Sequence, residues 1–226
     1  MRAAIIAFIV LAGTVAAPAG AAQLGIYAGL SYVMAEKDST RSVFENEALT
    51  IYNAFGFQPQ TTTASFDSED SAYGFVVGWR LTEHIAVEGG YMDLGEVSYR
   101  DTSVGVFDNT LPQQTWQQNI DSGTSGIALS ALGILPLSYR WEVYARGGVL
   151  ISNSTETIFI SNGFDSRKFS GSKSGADLLA GAGISFSVAE IYNIRLEYQR
   201  VFDAGDDATL DEADVDVATF NISVSF

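Results

Sequence analysis

The sequence predicts an all-β fold, an eight-stranded antiparallel transmembrane β-barrel of the up-and-down type. Three observations lead to this prediction. Eight segments of about ten residues alternate apolar with polar side chains, which is the period of a strand and the length that a tilted strand needs to cross an outer membrane. The connections between these segments alternate between short turns and long polar stretches. The composition is 47% hydrophobic although the net charge is -15.

The predicted strands occupy, in chain order, residues 24–34, 72–81, 85–94, 126–135, 141–152, 176–187, 192–202 and 214–226. From Ala218 onward the last of them alternates apolar and polar residues up to Phe226. Short turns are predicted at 82–84, 136–140 and 188–191, and long loops at 35–71, 95–125, 153–175 and 203–213. Short turns at one rim and long loops at the other are typical of periplasmic turns and extracellular loops in an outer-membrane barrel. A soluble β-sandwich has no reason to sort its loops in this way.

The first 22 residues have the features of a secretory signal peptide. Arg2 precedes the apolar run 3–12, and small residues follow up to Ala22. The cleavage site is Ala19-Gly20-Ala21, an A-x-A pattern, or its near equivalent at Ala22. An uncleaved membrane anchor is the alternative. The sequence therefore predicts a signal peptide at 1–22, a barrel domain at 23–226, and a location in the outer membrane of a Gram-negative bacterium with both termini periplasmic.

The alternation does not reveal which face of the barrel is outside. A soluble, lipocalin-like periplasmic barrel that binds a ligand has the same pattern with its apolar face inward. Strand length and loop sorting favour lipid on the apolar side, which would place Trp79, Trp141 and Tyr192 in an aromatic girdle at the periplasmic interface.

With this orientation the interior receives six charged residues, three of each sign. They are Arg80, Glu88, Glu142, Arg146, Arg195 and Glu197. An eight-stranded barrel is only wide enough for its own side chains, and buried charges need opposite partners. We therefore predict a salt-bridge network that fills the lumen, with a gated ion or proton path as the alternative.

Composition also bears on chemistry and partners. Twelve Lys and Arg against 27 Asp and Glu argue against nucleic acid as a partner. The chain has no cysteine and a single histidine, His84, in a predicted periplasmic turn far from the long loops. No G-x-S-x-G element occurs. We therefore expect no enzymatic activity and no cofactor.

Two of the predicted loops carry clustered charge. The loop after residue 202 contains Asp203, Asp206, Asp207 and Asp211, a weak candidate for calcium, but it lacks the glycine that the EF-hand spacing requires. A solvated acidic loop is the favoured interpretation, and no metal is predicted. Loop 153–175 is the only basic one, with Arg167, Lys168 and Lys173, which could contact lipid phosphates or serve solubility.

Three parts of the sequence resemble a known family. Residues 78–91 (GWRLTEHIAVEGGY), residues 139–148 (YRWEVYARGG) and the terminal Phe226 resemble the outer membrane protein A-like barrels and related opacity-type surface proteins. The resemblance implies an interior charge network, here at Glu88, Glu142, Arg146, Arg195 and Glu197. It also implies that the barrel-assembly machinery recognises Phe226. We expect no periplasmic peptidoglycan-binding domain after the barrel, so anchoring to the cell wall by that route is not implied.

The sequence thus predicts a non-enzymatic outer-membrane protein with a structural or surface-interaction role through long acidic extracellular loops. Its expected partners are outer-membrane lipid, lipopolysaccharide, the barrel-assembly machinery and an extracellular host or surface ligand. Two alternatives remain open: a small porin or conduit for hydrophobic solutes, and the soluble lipocalin-like barrel.

Overall fold

The computed structural model describes residues 24–37, 41–107, 112–188, 191–204 and 213–226. The predicted signal peptide, residues 1–22, lies outside the described residues. Within them the chain forms one helix, α1 (Arg41–Ala54), and nine strands. The strands are β1 (Gly25–Lys37), β2 (Gln58–Asp67), β3 (Glu69–Arg80), β4 (Ile85–Val106), β5 (Gln114–Pro136), β6 (Trp141–Ser161), β7 (Ser166–Ser187), β8 (Tyr192–Ala204) and β9 (Ala213–Ser225).

Eight of these strands close into a ring, and every pairing is antiparallel. The order around the ring is β3-β1-β9-β8-β7-β6-β5-β4, and β4 returns to β3. The first and last strands meet along most of their length, with Leu30 opposite Ile222. The predicted eight-stranded up-and-down barrel is confirmed.

The outward face of the ring is apolar. Phe75, Val77 and Ile222 are 53%, 50% and 49% exposed, whereas Glu88 and Arg195 are 5% and 8% exposed. A barrel that exposes its aliphatic side chains and buries its charged ones is suited to hydrocarbon outside. The soluble lipocalin-like alternative is therefore wrong. Among the described residues, no helix is long and apolar enough to cross a bilayer.

Aromatic side chains mark both ends of the apolar band. Trp79 and Tyr192 are exposed next to the short turns, where the half-buried Trp141 packs on Phe186 with ring centroids 4.6 Å apart. The opposite end carries four outward tyrosines that the sequence analysis did not assign to an interface: Tyr32, Tyr73, Tyr91 and Tyr198. Two such belts are the expected boundaries of a membrane-spanning barrel.

Most of the predicted long loops are regular structure, so this part of the prediction was wrong. The regions 95–125 and 153–175 are largely continuations of β4, β5, β6 and β7, whose lengths reach 21 to 23 residues. The region 35–71 contains α1 and β2. The continuing strands alternate Ser and Thr with occasional apolar residues, because one face meets water and the other meets a small core. That pattern has little of the hydrophobicity of the membrane-spanning segments.

These regions together form the extracellular lobe, which we define as the described residues of 41–67, 95–125 and 153–175. Its sheet has the strand order β2-β4-β5-β6-β7. At about 3.3 Å per residue, the part of β4 beyond residue 94 is roughly 40 Å long, measured along the strand. The lobe has its own hydrophobic core, formed chiefly by Phe44, Tyr52, Phe57, Val97, Tyr99, Trp116, Ile120 and Ile160.

Helix α1 packs against the inner face of this sheet. Phe44, Ala48 and Tyr52 recur every four residues, so they lie on one side of the helix, and all three are buried. The helix ends at Ala54, and Gly56, two residues later, has a φ of 73°, a left-handed conformation that is common just after a helix. The amide of Phe57 then donates to the carbonyl of Tyr52 at 2.9 Å.

Candidate functional site

Glu88 is the centre of a polar network in the middle of the barrel. Its Oε1 accepts hydrogen bonds from the Tyr27 hydroxyl and from Arg195 Nη1, each at 2.5 Å. Its Oε2 accepts one from Arg146 Nη2. The carboxylate of Glu88 is therefore paired with two guanidinium groups and one phenol at a position that is almost completely shielded from solvent.

A second carboxylate, Glu197, completes the network. It accepts a hydrogen bond from the Tyr144 hydroxyl at 2.7 Å, and its Oε1 lies 3.0 Å from Arg146 Nε. Arg146 thus contacts both carboxylates. The Arg195 guanidinium carbon lies 5.6 Å from the ring centroids of both Tyr27 and Tyr144, within the range of cation–π attraction. The two carboxylates and two guanidinium groups leave no net charge.

The other two predicted lumen charges form a separate pair. Arg80 donates two hydrogen bonds to Glu142, both at 2.9 Å, in a bidentate arrangement. The Arg80 Nη2 also donates to the carbonyl of Glu83 at 2.6 Å, which fixes the pair at the periplasmic end of the lumen. The structure therefore divides the six predicted charges into a group of four and a pair, rather than one continuous network.

The two tyrosines are placed by glycines on the neighbouring strands. Tyr27 lies opposite Gly78, which lies opposite Glu88 on the next strand. Tyr144, Gly183 and Glu197 repeat this arrangement on the other side of the barrel. A Cβ atom at Gly78 or Gly183 would overlap the ring of its tyrosine. Each tyrosine thus crosses a glycine to reach a carboxylate two strands away.

Apolar side chains fill the lumen on the extracellular side of the network. They form one buried cluster whose members include Val33, Met92, Leu150, Leu179, Val201 and Val217. Between this cluster and the charges lies a cavity of about 40 Å³ lined by Ser130, Gln199, Asn221 and other side chains. A volume of this size has room for about three water molecules.

Comparisons with known proteins agree with this architecture. The OmpA-like transmembrane domain matches residues 22–226. The chain belongs to the OmpA-like transmembrane domain family. Because it belongs to this family, the OmpA-like chain is a protein of the bacterial outer membrane. No curated protein sequence matches it.

Solved structures similar to this OmpA-like barrel share little sequence with it. The attachment invasion locus protein Ail of Yersinia pestis is 14% identical, with 89% of this chain and 97% of that chain covered and a TM-score of 0.44. The N-terminal β-barrel domain of OprF from Pseudomonas aeruginosa is 11% identical, with coverages of 90% and 100% and a TM-score of 0.42. OprG from Pseudomonas aeruginosa is 13% identical, with coverages of 90% and 96% and a TM-score of 0.42.

Replacing Gly78 with alanine should destabilise the OmpA-like barrel by about 1–3 kcal/mol, which is the usual cost of overpacking. The added methyl group would displace the Tyr27 ring and remove its hydrogen bond to Glu88. Gly147→Ala is the matched control, because nothing lies within 4 Å of the Cβ position at Gly147. Urea unfolding in lipid vesicles, followed by heat-modifiable gel mobility, measures both variants. Equal midpoints for Gly78→Ala and Gly147→Ala would contradict the packing role of Gly78.

The remaining predicted residues lie at the two ends of the barrel. The amide of Phe226 donates to the carbonyl of Ile26 at 2.8 Å, and its side chain is exposed. His84 is exposed in the turn between β3 and β4. Of the weak calcium candidates, Asp206, Asp207 and Asp211 lie outside the described residues, and the amide of Asp203 donates to Asp214 Oδ1 at 3.2 Å. In the described part of the chain, no three Asp, Glu or His side chains are placed to hold a metal ion.

The basic residues of β7 lie in the extracellular lobe. Arg167 and Lys168 are near its outermost hairpin, and the Arg167 guanidinium carbon is 5.7 Å from the ring centroid of Phe55. Phe164, at the tip of that hairpin, is 97% exposed. About ten residues of strand, roughly 30 Å of its length, separate Arg167 and Lys168 from the apolar band.

Proposed function

We propose that this protein is a non-enzymatic outer-membrane barrel with a structural and surface-interaction role, performed by the extracellular lobe above a closed lumen. The observation that carries the proposal is the lobe itself. A five-stranded sheet with its own core, covered by a helix, presents a fixed surface far from the bilayer. Flexible loops would lose conformational entropy on binding, whereas a folded lobe has already been ordered.

Three successive layers support a closed lumen. The Arg80–Glu142 pair is nearest the periplasm, the network around Glu88 follows, and the apolar cluster around Leu150 lies on the extracellular side. Ion passage would require separation of buried ion pairs and hydration of the apolar cluster, both of which are costly. This arrangement favours a plug over a conducting path.

The distal hairpin of β6 and β7 supports a contact role. Strand β7 pairs with β8 only between Leu179 and Ser187, so its segment 166–178 has one neighbouring strand among the described residues. An edge of this kind offers unpaired backbone groups. Beside it, Phe164 is fully exposed. Arg167 and Lys168 are basic residues on a chain of net negative charge, and Arg167 Nε lies 3.6 Å from Asp165 Oδ2. Phenylalanine and arginine are both enriched in protein interfaces relative to the rest of the surface.

The other partners follow from position. Outer-membrane lipid and lipopolysaccharide would contact the apolar band and the tyrosines at its extracellular end. Phe226 would be recognised by the barrel-assembly machinery at the periplasmic end of the β1–β9 seam. The absence of enzymatic activity is supported by the sequence, whose one histidine, His84, lies at the periplasmic end, away from the lobe.

Reconstituted vesicles test both parts of this proposal. Vesicles that contain the protein should retain a small entrapped dye as well as empty vesicles do. An Arg80→Ala/Glu142→Ala double variant should also retain it, because two layers remain in the lumen. Stable ion conductance or dye loss from the wild-type vesicles would instead support a small porin or solute conduit.

The same vesicles, carrying a lipid dye, measure adhesion to a host-cell layer. Wild-type vesicles should adhere more than empty ones, and a Phe164→Ser/Arg167→Ser variant should lose most of that difference. Thr63→Ser, which alters an exposed residue elsewhere in the lobe, is the control. Equal adhesion of empty vesicles, vesicles with the wild-type protein and vesicles with the Phe164→Ser/Arg167→Ser variant would contradict a contact role for the hairpin.

A further inference from the structure

The lipid-facing side of the barrel has a recess of about 700 Å³ across β3, β4, β5 and β6. Its floor consists of Gly89, Ala131 and Gly147. Its walls are large apolar side chains that project outward, among them Ile26, Val77, Trp79, Leu129 and Val149. A barrel is convex on its outside, so a recess of this size forms only where neighbouring residues lack long side chains.

The floor continues toward the periplasmic end of the barrel. Ala131 pairs with Gly147 across the β5–β6 ladder, and Gly133 pairs with Ala145. All four residues are exposed. Apart from its chain neighbours, no described residue has an atom within 4 Å of the Cβ position at Gly133 or Gly147. These four residues thus form a block on two strands with no side chain longer than a methyl group.

The recess leads from the middle of the bilayer to the periplasmic interface. Val87 and Gly147 lie in one row of the sheet, yet Gly147 is seven residues from Arg140 in its turn, and Val87 is only three from His84. Because the strands are tilted in this way, a line along the membrane normal descends from Gly147 across β5 to the turn of His84. Seven residues of strand are about 23 Å long, which a tilt of about 40° converts into about 18 Å of depth, near the midplane of a core about 30 Å thick.

The periplasmic end of this line carries groups that match a phospholipid headgroup. His84 is exposed in the turn between β3 and β4, and Arg140 is exposed in the neighbouring turn between β5 and β6. The amide of Ile134 on β5 donates to the carbonyl of His84 at 2.8 Å, which joins the two turns through β5. Arginine is a favoured partner of phosphate. Glu83, also exposed in the first turn, complements the amine of a zwitterionic headgroup.

We propose that the recess binds one acyl chain of a phospholipid from the periplasmic leaflet, whose phosphate lies between His84 and Arg140. The chain lies over Gly133 and Gly147, where the bare floor lets it approach the backbone and gain dispersion contacts. The ring of Trp79 forms one wall beside it. This site is separate from the extracellular lobe, so lipid binding here and the adhesion proposed above can fail independently.

A lipid chain fits the recess better than a second copy of the barrel does. Two copies inserted in the same direction are related by a two-fold axis along the membrane normal, and such an interface joins the same patch of both subunits. The two recesses would then face each other, and no side chain would fill either of them. The basic residues His84 and Arg140 of the two copies would also be brought together.

Lipid retention tests the proposal. The protein is folded in phosphatidylethanolamine vesicles, extracted into a mild detergent and weighed by native mass spectrometry. The wild type should retain one phospholipid per barrel. Ala131→Leu places a larger side chain in the recess and should lower the retained fraction about tenfold. Ala182→Leu is the matched control, because Ala182 is exposed on β7 outside the recess.

The headgroup contact has its own pair of variants. Arg140→Gln should lower the retained fraction about fivefold, as expected for one basic residue near a lipid phosphate. Lys168→Gln removes an exposed cation from the extracellular lobe and should retain lipid as the wild type does. Equal retention by the two variants would contradict a phosphate contact at Arg140.

Three results would overturn the acyl-chain site. They are a wild type that retains no phospholipid, equal retention by Ala131→Leu and the wild type, and a dimer that Ala131→Leu dissociates, which would assign the recess to a second copy. Should Ala131→Leu fail to fold, a Trp116→Phe/Trp141→Phe background leaves Trp79 as the only tryptophan. Brominated phosphatidylethanolamine in phosphatidylcholine vesicles should quench Trp79 more strongly than random mixing of the lipids predicts. Quenching that matches random mixing would contradict the site.

Discussion

Replacement of Glu88 by glutamine should lower the free energy of unfolding by about 3–5 kcal/mol, the usual cost of removing one partner from a buried ion pair. Arg195 would lose the carboxylate that it contacts, and Arg146 would retain only Glu197. A buried guanidinium group that loses its carboxylate partner keeps the cost of its burial without the attraction that offset that cost. Equilibrium unfolding by urea in phospholipid vesicles measures the change.

Glu83→Gln is the control for the same chemical change, since Glu83 is exposed in the turn after β3. It should shift the unfolding free energy by less than about 0.5 kcal/mol. A Glu88→Gln/Arg195→Gln double variant should recover part of the loss, because the uncompensated charge is removed with its partner. A loss below about 1 kcal/mol for Glu88→Gln would mean that water reaches the network.

Arginine at Ile222 should destabilise the barrel by about 2–4 kcal/mol, which is the cost of a basic residue on the lipid-facing surface near the bilayer midplane. Ile222 projects outward on β9, midway between Phe226 and Ala218, the latter lying opposite Tyr198 in the extracellular belt. The expected destabilisation comes from the transfer of a guanidinium group from water into hydrocarbon.

Thr63→Arg introduces the same side chain on an exposed position of β2 in the extracellular lobe. Its effect should stay within about 0.5 kcal/mol, as for ordinary surface substitutions. The comparison uses urea unfolding in vesicles, with gel mobility to score the folded fraction. Similar unfolding energies for the two variants would show that Ile222 does not face lipid.

The barrel could be predicted from sequence because each membrane-spanning strand has strong constraints on both faces. Lipid requires apolar side chains outside, and the narrow lumen accepts only small, polar or paired side chains. The alternation in β3, with Phe75, Val77 and Trp79 on one face and Gly74 and Gly78 on the other, is therefore clear. The same constraint does not act beyond the bilayer.

The extracellular lobe was missed for that reason. Water bathes one face of its sheet, and its core is shared with a single helix, so Ser, Thr and Gln dominate the strands. Helix α1 did have a recognisable period, since Phe44, Ala48, Ile51 and Tyr52 fall on one side of a helix. The pattern is short, lies between polar segments, and was interpreted as part of a loop.

The charged residues of the polar network could be predicted from the sequence, but their arrangement in space could not. Alternation identified the inward charges, but sequence alone gives no register between strands that are distant in the chain. Tyr27 and Tyr144 were not assigned to the network for the same reason. A signal did exist: Gly78 and Gly183 each precede a short turn, and Glu88 and Glu197 occupy matching positions after it. Each half of the network therefore consists of a glycine before a turn, a glutamate after it, and a tyrosine on the strand that pairs with the glycine.

The most direct test of the account is the environment of its apolar face. The wild-type chain has no cysteine, so single nitroxide labels can be placed at Phe75, Val77 and Ile222, with Thr63 as the aqueous reference. In lipid vesicles, collision with oxygen should exceed collision with a water-soluble nickel complex at the first three sites, and the reverse should hold at Thr63. Ready access of the nickel complex to Phe75, Val77 and Ile222 would contradict a barrel surrounded by hydrocarbon.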